Sequence, residues 1–387
     1  MQKLNYTTTI AIDSERSAIH FYLMSGDDKS TIAHNIKNYS APLFEDEFFN
    51  QFKNAIKEFA ASNPSESVRK INVVLPDNAV VTDVIKVPTM KGSVQMKKTL
   101  DTTLGGLYRN YKDLRVASNT VQQNKQFTTF SINAVQKKIV SAIYAACSEN
   151  KFLVDNLTYA SSATVAGAVA LNPKLKGATY LLLDIKDAYS RFVFVLNGRA
   201  MGYYPLPFGL DFLKRHRVTQ EDMLFDHSLA ELTVLSVREK AKSQEADLSL
   251  DDEDIENLEE DLSGVAVEKP FSNSLKKTPR KLPEFMLREV PKGKDGALCE
   301  NFRVFVKWAL TLISENTSIV ELGAPQFVCV NLPRELSLAI DSANSEAEES
   351  GISFIPLTSE NEKPKVLSNV ELYGSLFPKQ ISFAGKF

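Results

Sequence analysis

The stretch 180–199, YLLLDIKDAYSRFVFVLNGR, decides the fold, because it reads as two apolar strands joined by a short polar turn. Asp184 stands near the end of the first strand, and Asn197-Gly198 after the second strand predicts a tight hairpin to a third. Residues 6–24, YTTTIAIDSERSAIHFYLM, repeat this plan with a turn headed by Asp13. A duplicated unit of strand, aspartate turn and return strand predicts a chain built from two related halves.

The residues between the two repeats predict one further module. Apolar residues recur at helical spacing over 45–61, and a short apolar run over 71–75 stops at Pro76, as a buried strand would. The pattern then predicts a strand over 80–88, a helix near 93–110, a polar loop, a strand over 126–134 and a helix over 136–150. This order indicates a small α/β subdomain inserted in the first half.

Beyond the second half, the segment 243–296 carries blocks of acidic residues and then blocks of lysine and arginine. Such a segment buries too little apolar surface to offset the entropy of ordering it, so we expect it to be disordered. It is either a solvated linker, which is the simpler interpretation, or a charged docking arm. The predicted divisions are a first subdomain at 1–78 completed by C-terminal elements, the inserted subdomain at 79–155, a second half at 156–215, an insertion at 216–315, and the completion of the second half with a C-terminal helix at 316–387.

Composition and charge exclude several classes of protein. The 45 basic and 48 acidic residues give a net charge of -3, so no overall field favours nucleic acid. No run approaches the ~20 apolar residues of a membrane-spanning helix, and the first residues carry no apolar signal core. The three cysteines and four histidines lack metal-ligand spacing. We therefore expect a cytoplasmic protein without a metal site, whose association with a membrane depends on a partner.

Several motifs, taken in order, resemble the family of the type IV pilus assembly protein PilM, a relative of the cell-division protein FtsA. Residues 73–88, VVLPDNAVVTDVIKVP, resemble the family's entry into its inserted subdomain, and residues 132–138, INAVQKK, resemble that subdomain's last strand and the helix after it. Residues 183–185 and 195–199 resemble its second phosphate hairpin. The resemblance covers nearly all of the chain except about 219–296. It implies an α/β fold of actin-like type, that is, a duplicated ribonuclease H-like fold with an inserted small α/β subdomain.

The same resemblance implies a cleft for ATP and Mg²⁺, but the turns of this chain depart from the family pattern. The family has a glycine near each turn aspartate, which lets backbone amides approach phosphate, and here Glu15 and Lys186 occupy those positions. We therefore favour turn residues retained from a nucleotide-binding ancestor, with weak or lost nucleotide binding and no catalytic residue. The candidate nucleotide-binding residues, of which Asp13 and Asp184 would hold Mg²⁺ if it binds, are Asp13, Ser14, Ser17, Asp184, Lys186, Ser190 and Asn331.

The resemblance also implies a partner. PilM-like proteins bind the short cytoplasmic N-terminal tail of the membrane protein PilN in a groove between the first subdomain and the inserted one, which predicts groove residues Val80, Val84, Val87, Phe130, Ile132 and Lys137. We therefore predict a scaffold of a type IV pilus or related type II secretion machine, which contacts other pilus assembly proteins and is held at the inner face of the cell membrane through partners. The alternative is an active FtsA-like ATPase or polymerising actin homologue. A sugar kinase is disfavoured, because the sequence offers no catalytic base.

Overall fold

The computed structural model describes residues 6–14, 16–25, 31–63, 69–108, 110–187, 189–206, 209–214, 299, 301–302, 325–331, 340, 344, 352–357, 370–376 and 382–383. The acidic and basic segment predicted over 243–296 lies outside these residues. Within the described part of the chain, no helix is long and apolar enough to cross a membrane.

Runs of up to three strands are separated by helices in this part of the chain. In chain order the strands are β1 (Tyr6–Asp13), β2 (Ala18–Ser25), β3 (Thr31–Asn38), β4 (Arg69–Leu75), β5 (Val81–Pro88), β6 (Leu114–Gln123), β7 (Phe127–Gln136), β8 (Phe152–Tyr159), β9 (Thr179–Ile185), β10 (Ser190–Leu196), β11 (Arg199–Leu206), β12 (Phe327–Asn331) and β13 (Ser353–Pro356). The helices are α1 (Asp46–Ser62), α2 (Ser93–Leu107), α3 (Lys137–Glu149), α4 (Ala160–Leu171), α5 (Leu210–Leu213) and α6 (Val370–Ser375).

Two five-stranded sheets share one topology, which confirms the duplication predicted from the two aspartate turns. The first sheet has the order β3-β2-β1-β4-β8 and the second has the order β11-β10-β9-β12-β13. In each sheet the first three strands along the chain form an antiparallel meander, and the last two add in parallel. Asn197 and Gly198 both have positive φ, 52° and 68°, as the predicted tight hairpin requires.

The first core forms between its sheet and two helices. Apolar residues of β1, β2 and β4 meet the phenylalanine-rich face of α1, where Phe48 and Phe52 are fully buried. Helix α3 adds Ile139, Val140 and Ile143 to the same core. The sequence places α3 in the inserted subdomain, which it extends to residue 155, but α3 packs in the first half and β8 pairs with β4. The apolar face of α3 therefore completes the first core.

The inserted subdomain consists of a three-stranded sheet of order β5-β7-β6 with α2 on one face. The sequence predicts a polar loop after α2, whereas the structure has the strand β6 there. Polar residues such as Ser118, Asn119 and Thr120 obscured that strand, because β6 is an edge strand with much of its length exposed. The subdomain has its own small core, which includes Ile85, Leu104 and other residues of β5, α2 and β7.

Helices α4 and α6 join the two halves. Ala160 and Ala163 on α4 and Leu372 on α6 pack with apolar residues of the first sheet, while other residues of the same helices lie in the second core. The two helices meet at glycines: a Cβ atom on Gly374 would lie 1.7 Å from the carbonyl oxygen of Ala163. The small residues therefore permit a backbone contact that holds the two sheets together.

Candidate functional site

The first aspartate turn is held by its own side chains. The Oδ1 atom of Asp13 accepts a hydrogen bond from the Arg16 backbone N–H at 3.0 Å, as is usual for an aspartate that heads a turn. Its Oδ2 atom lies 3.8 Å from Nε2 of His20 on the return strand. Ser14 is half-buried and Ser17 is exposed, with a positive φ of 49°.

The second aspartate lies deeper, at the centre of its sheet. Asp184 is fully buried, and the strand register sets Arg191 of β10 on one side of it and Asn331 of β12 on the other. Asn331 Nδ2 donates to Asp184 Oδ1 at 2.7 Å. Arg191 Nη2 lies 2.8 Å from Oδ2, and Lys186 Nζ lies 3.5 Å from the same oxygen. Neighbouring protein groups thus contact both carboxylate oxygens.

Arg191 is the centre of a wider ion-pair network that we call the Arg191 cluster, made of Asp77, Asp184, Lys186, Arg191 and Glu371. Arg191 is 3% exposed, and its Nη1 atom lies 2.9 Å from Asp77 Oδ2 while Nη2 lies 2.7 Å from Glu371 Oε2. Lys186 Nζ lies 3.9 Å from the same Glu371 oxygen. Three carboxylates and two cations leave the cluster with a formal charge of -1.

The Arg191 cluster joins elements of both halves. Asp77 follows β4 of the first sheet, Arg191 belongs to β10 of the second sheet, and Glu371 lies on α6. Asp77 also fastens the start of α4, because it accepts hydrogen bonds from the Ser161 backbone N–H at 2.7 Å and the Ser161 hydroxyl at 2.8 Å. Arg191 Nη2 donates to the hydroxyl of Thr164, one turn further along α4. The network therefore fixes the two halves around the helix that they share.

Burial and charge pairing act in opposite directions on the pKa of each of these buried groups. Burial alone would raise the pKa of Asp184, but the charges of Lys186 and Arg191 and the hydrogen bond from Asn331 outweigh it and hold this pKa below its usual value. For Asp77 burial is the larger effect, so its pKa is raised despite the opposing charge of Arg191. Burial tends to lower the pKa of Arg191, yet the three carboxylates hold it well above its usual value.

The two aspartate turns are also connected at the surface. Arg16 in the first turn pairs with Asp187 in the second, with Nη2 3.1 Å from Oδ2. The second turn supports α5: its carbonyl groups at Lys186 and Asp187 accept hydrogen bonds from the N–H groups of Leu210 and Asp211 at 2.9 Å. A Cβ atom on Gly209 would lie 2.3 Å from the Lys186 carbonyl oxygen. The second turn is thus packed under the start of α5.

The structure brings only some of the predicted nucleotide-binding residues together. Asp184, Lys186 and Asn331 form one contact group, as described above. Asp13 lies at the other turn and Ser190 is buried at the start of β10. Sequence reasoning missed Asp77, Glu371 and the central Arg191. The signal for Arg191 was present, because an arginine inside the apolar run SRFVFVL must find carboxylates when that strand is buried.

The predicted groove residues are mostly internal. Val87, Phe130 and Ile132 lie in the core of the inserted subdomain, and Val80 lies in the first core. Val84 is half-buried on the sheet face opposite α2, and Lys137 is exposed at the start of α3, where its ammonium group donates to the carbonyl of Lys112. Of the six side chains, only these two remain accessible to a partner.

The chain is similar in fold to a solved structure of pilus assembly proteins. The solved structure of a PilM-PilN type IV pilus biogenesis complex matches with a TM-score of 0.52 and 14% identity, covering 96% of this chain and 96% of that one. The chain has an actin-like fold. The resemblance to PilM drawn from the sequence is therefore confirmed at the level of the fold. No protein-family model matches the chain, and no curated protein does.

Two further similar structures are more distant. The cytoplasmic domain of EpsL, an inner-membrane component of the type II secretion system of Vibrio cholerae, has a TM-score of 0.35 at 11% identity and covers 52% of this chain and 71% of that one. MreB 5 of Spiroplasma citri, solved with AMPPNP, has a TM-score of 0.37 at 9% identity and covers 96% of each chain. Neither likeness is high enough to support an inference about this chain.

The chemistry open to the site follows from its contacts. Within the described ranges, no group of three or more histidine, cysteine, aspartate or glutamate side chains is arranged to hold a metal ion. Mg²⁺ binds carboxylate oxygens that are free of competing cations, whereas Arg191 and Lys186 lie within 3.5 Å of Asp184 Oδ2. A bound Mg²⁺ at Asp184 would have to displace two positively charged side chains that the protein already places there.

Proposed function

We propose that this chain is an actin-fold scaffold in the assembly machine of a type IV pilus or a related type II secretion system, and that it works without hydrolysing nucleotide. In this proposal it binds the cytoplasmic tail of a PilN-like membrane protein, contacts other assembly proteins, and is held at the inner face of the cell membrane through these partners. The likeness in fold to PilM over 96% of the chain supports a role in such an assembly machine. The Arg191 cluster supports the other part of the proposal, that the chain works without hydrolysing nucleotide.

The Arg191 cluster argues against nucleotide on electrostatic grounds. Its formal charge of -1 opposes a triphosphate, and the cations of Lys186 and Arg191 are already paired with buried carboxylates. Phosphate could bind these cations only by breaking ion pairs that are shielded from water, which leaves buried carboxylates uncompensated. Glu15 adds a further negative charge at the first turn. The cleft therefore acts as a fixed joint between the two halves.

Calorimetric titration of the full chain with Mg-ATP tests this part. We expect no heat of binding from the wild-type protein. Lys186→Gln, which removes the more exposed cation of the cluster, should behave in the same way. Micromolar binding that is lost in Asp184→Asn, a variant of nearly unchanged shape, would refute the proposal and favour an ATP-binding FtsA-like protein.

We place the partner groove along β5, on the sheet face that carries Val84. β5 is an edge strand of the inserted sheet, so a tail in extended conformation can add to it through backbone hydrogen bonds. Val84 gives this face an accessible apolar contact, and Lys137 lies where the next strand, β7, passes into α3. The buried Val87, Phe130 and Ile132 pack on the other face of this sheet and Val80 packs in the first core, so these four support β5 without lining the groove.

A synthetic peptide with the sequence of a PilN-like cytoplasmic tail tests the groove. Val84→Glu should weaken binding of the labelled peptide by at least about tenfold, because a charge would replace an apolar contact. Thr102→Glu is the matched control, since Thr102 is exposed on α2, which covers the opposite face of the sheet. If both variants bind the peptide as the wild-type protein does, the groove lies elsewhere.

A further inference from the structure

The inserted subdomain differs from the rest of the chain in charge. Residues 81–136, from the start of β5 to the end of β7, contain eight lysines and arginines against three aspartates and no glutamate, a net of +5. Since the whole chain has a net charge of -3, the remaining residues carry -8. Asp83, one of the three aspartates, is buried and accepts a hydrogen bond from the Tyr108 hydroxyl. The surface of this subdomain is therefore strongly basic on an acidic protein.

Part of this charge lies at one end of the subdomain, which we call the basic tip and define as residues 89–98 and 124–126. Thr89 fastens its two segments together: its N–H donates to the carbonyl of Gln126 at 2.8 Å, and its hydroxyl donates to the carbonyl of Asn124 at 2.9 Å. The Asn124 side chain in turn accepts hydrogen bonds from the backbone N–H groups of Gln126 and Phe127. These bonds hold the start of α2 beside the β6–β7 turn.

The basic tip exposes apolar side chains among its lysines. Val94 is 81% exposed and Met90 is 36% exposed. Four exposed lysines surround them, and none forms an ion pair within the described residues: Lys91, Lys97, Lys98 and Lys125. Val94, Lys97 and Lys98 share one face of α2, because residues three and four apart are neighbours on a helix. Asp101 continues that face, and its carboxylate accepts a hydrogen bond from the Tyr111 hydroxyl at 2.7 Å.

We infer that the basic tip binds the surface of a membrane that contains anionic lipid. Lysines attract the negatively charged headgroups, and their long side chains let nearby apolar groups reach the boundary with the acyl chains. Val94 and Met90 then leave water as the tip makes contact, which gives a reason for their exposure. A membrane surface accounts for the lysines and for the exposed valine in one contact, because its charged headgroups lie directly above apolar acyl chains. The inference stands on the tip alone, and it adds a direct lipid contact to the attachment through partners that the proposed function includes.

Sedimentation of the full chain with lipid vesicles tests the inference. We expect the protein to bind vesicles that contain phosphatidylglycerol and to remain in solution with vesicles of phosphatidylcholine alone. Each Lys→Gln change in the tip should weaken binding roughly fivefold, the usual contribution of a lysine near an anionic surface. Val94→Ser should weaken it by up to about tenfold, the loss expected for an apolar side chain that no longer enters the interface.

Matched variants distinguish binding through the tip from an effect of the chain's net charge. Replacing Lys91, Lys97, Lys98 and Lys125 together by glutamine should abolish binding. Replacing four exposed lysines of other regions removes the same charge but should leave most of the binding to vesicles. These are Lys57, Lys70, Lys151 and Lys176. The inference is overturned if the two quadruple variants lose binding equally, or if Val94→Ser binds as the wild-type protein does. It is also overturned if poly-glutamate binds the tip while phosphatidylglycerol vesicles do not.

Discussion

Replacement of Arg191 by methionine removes the positive charge on which the Arg191 cluster depends. Methionine keeps much of the side-chain length, but it leaves three mostly buried carboxylates with Lys186 as their remaining cation. Breaking a buried ion pair by removing one partner usually costs about 3–5 kcal/mol. Arg191 contacts Asp77, Asp184 and Glu371 at 2.7–2.9 Å, so we expect a loss in the upper part of that range, which corresponds to a fall in the melting temperature of roughly 6 °C for a chain of this length.

Thermal unfolding followed by circular dichroism measures this loss, with Arg16→Met as the control. Arg16 also pairs with an aspartate, but both side chains are about half exposed, at 46% and 63%. An exposed pair contributes about 0–1 kcal/mol, so the control should change the melting temperature by no more than a few degrees. Equal effects of the two substitutions would refute the reasoning, because they would mean that burial of the Arg191 cluster is energetically unimportant.

The pH dependence adds an independent check on the same variant. In the wild-type protein the pKa of Asp184 is held low, so this group stabilises the fold above its unfolded pKa of about 4 and stops doing so as the pH falls through its folded pKa. Without Arg191, burial should raise that pKa instead, so the carboxylate destabilises the fold at neutral pH and less so in acid. The stability difference between wild type and Arg191→Met should therefore shrink between pH 7 and pH 4.

Two further predictions concern the first sheet and the joint between the halves. Burial lowers the pKa of His20, so the unfolded chain takes up a proton first and stability should fall as the pH drops below about 6.5, by at most about 1.4 kcal/mol per pH unit. In urea titrations at several pH values, His20→Gln should reduce this dependence of stability on pH. An unchanged dependence would mean that His20 is not its cause. Gly374→Ala should destabilise the protein by several kcal/mol, because its Cβ would lie 1.7 Å from the Ala163 carbonyl oxygen. Gly105→Ala on helix α2 is the control, because a Cβ atom there meets nothing within 4 Å, and it should stabilise the protein by up to about 1 kcal/mol. Similar losses of stability from the two glycine substitutions would refute the close contact between α4 and α6.

Local pattern was enough to predict most elements of the first half and the inserted subdomain. The alternation in β1 and β2, the phenylalanine spacing of α1 and the Asn197-Gly198 turn each carry their signal within a few residues. The strand β6 was missed, because an edge strand with polar residues on exposed positions lacks that signal. The extent of the inserted subdomain was also misplaced: α3 is amphipathic wherever it packs, and only the fold shows that its apolar face completes the first core.

The sequence by itself determined the duplicated architecture and the absence of glycine beside both turn aspartates, since these are properties of neighbouring residues. Only the tertiary structure decided which groups surround the second aspartate. Asp77, Arg191 and Glu371 are separated by 114 and 180 residues along the chain, and no local pattern relates them. They meet because two sheets and two shared helices fix their positions, and a buried arginine must be neutralised by whichever carboxylates the fold brings within reach.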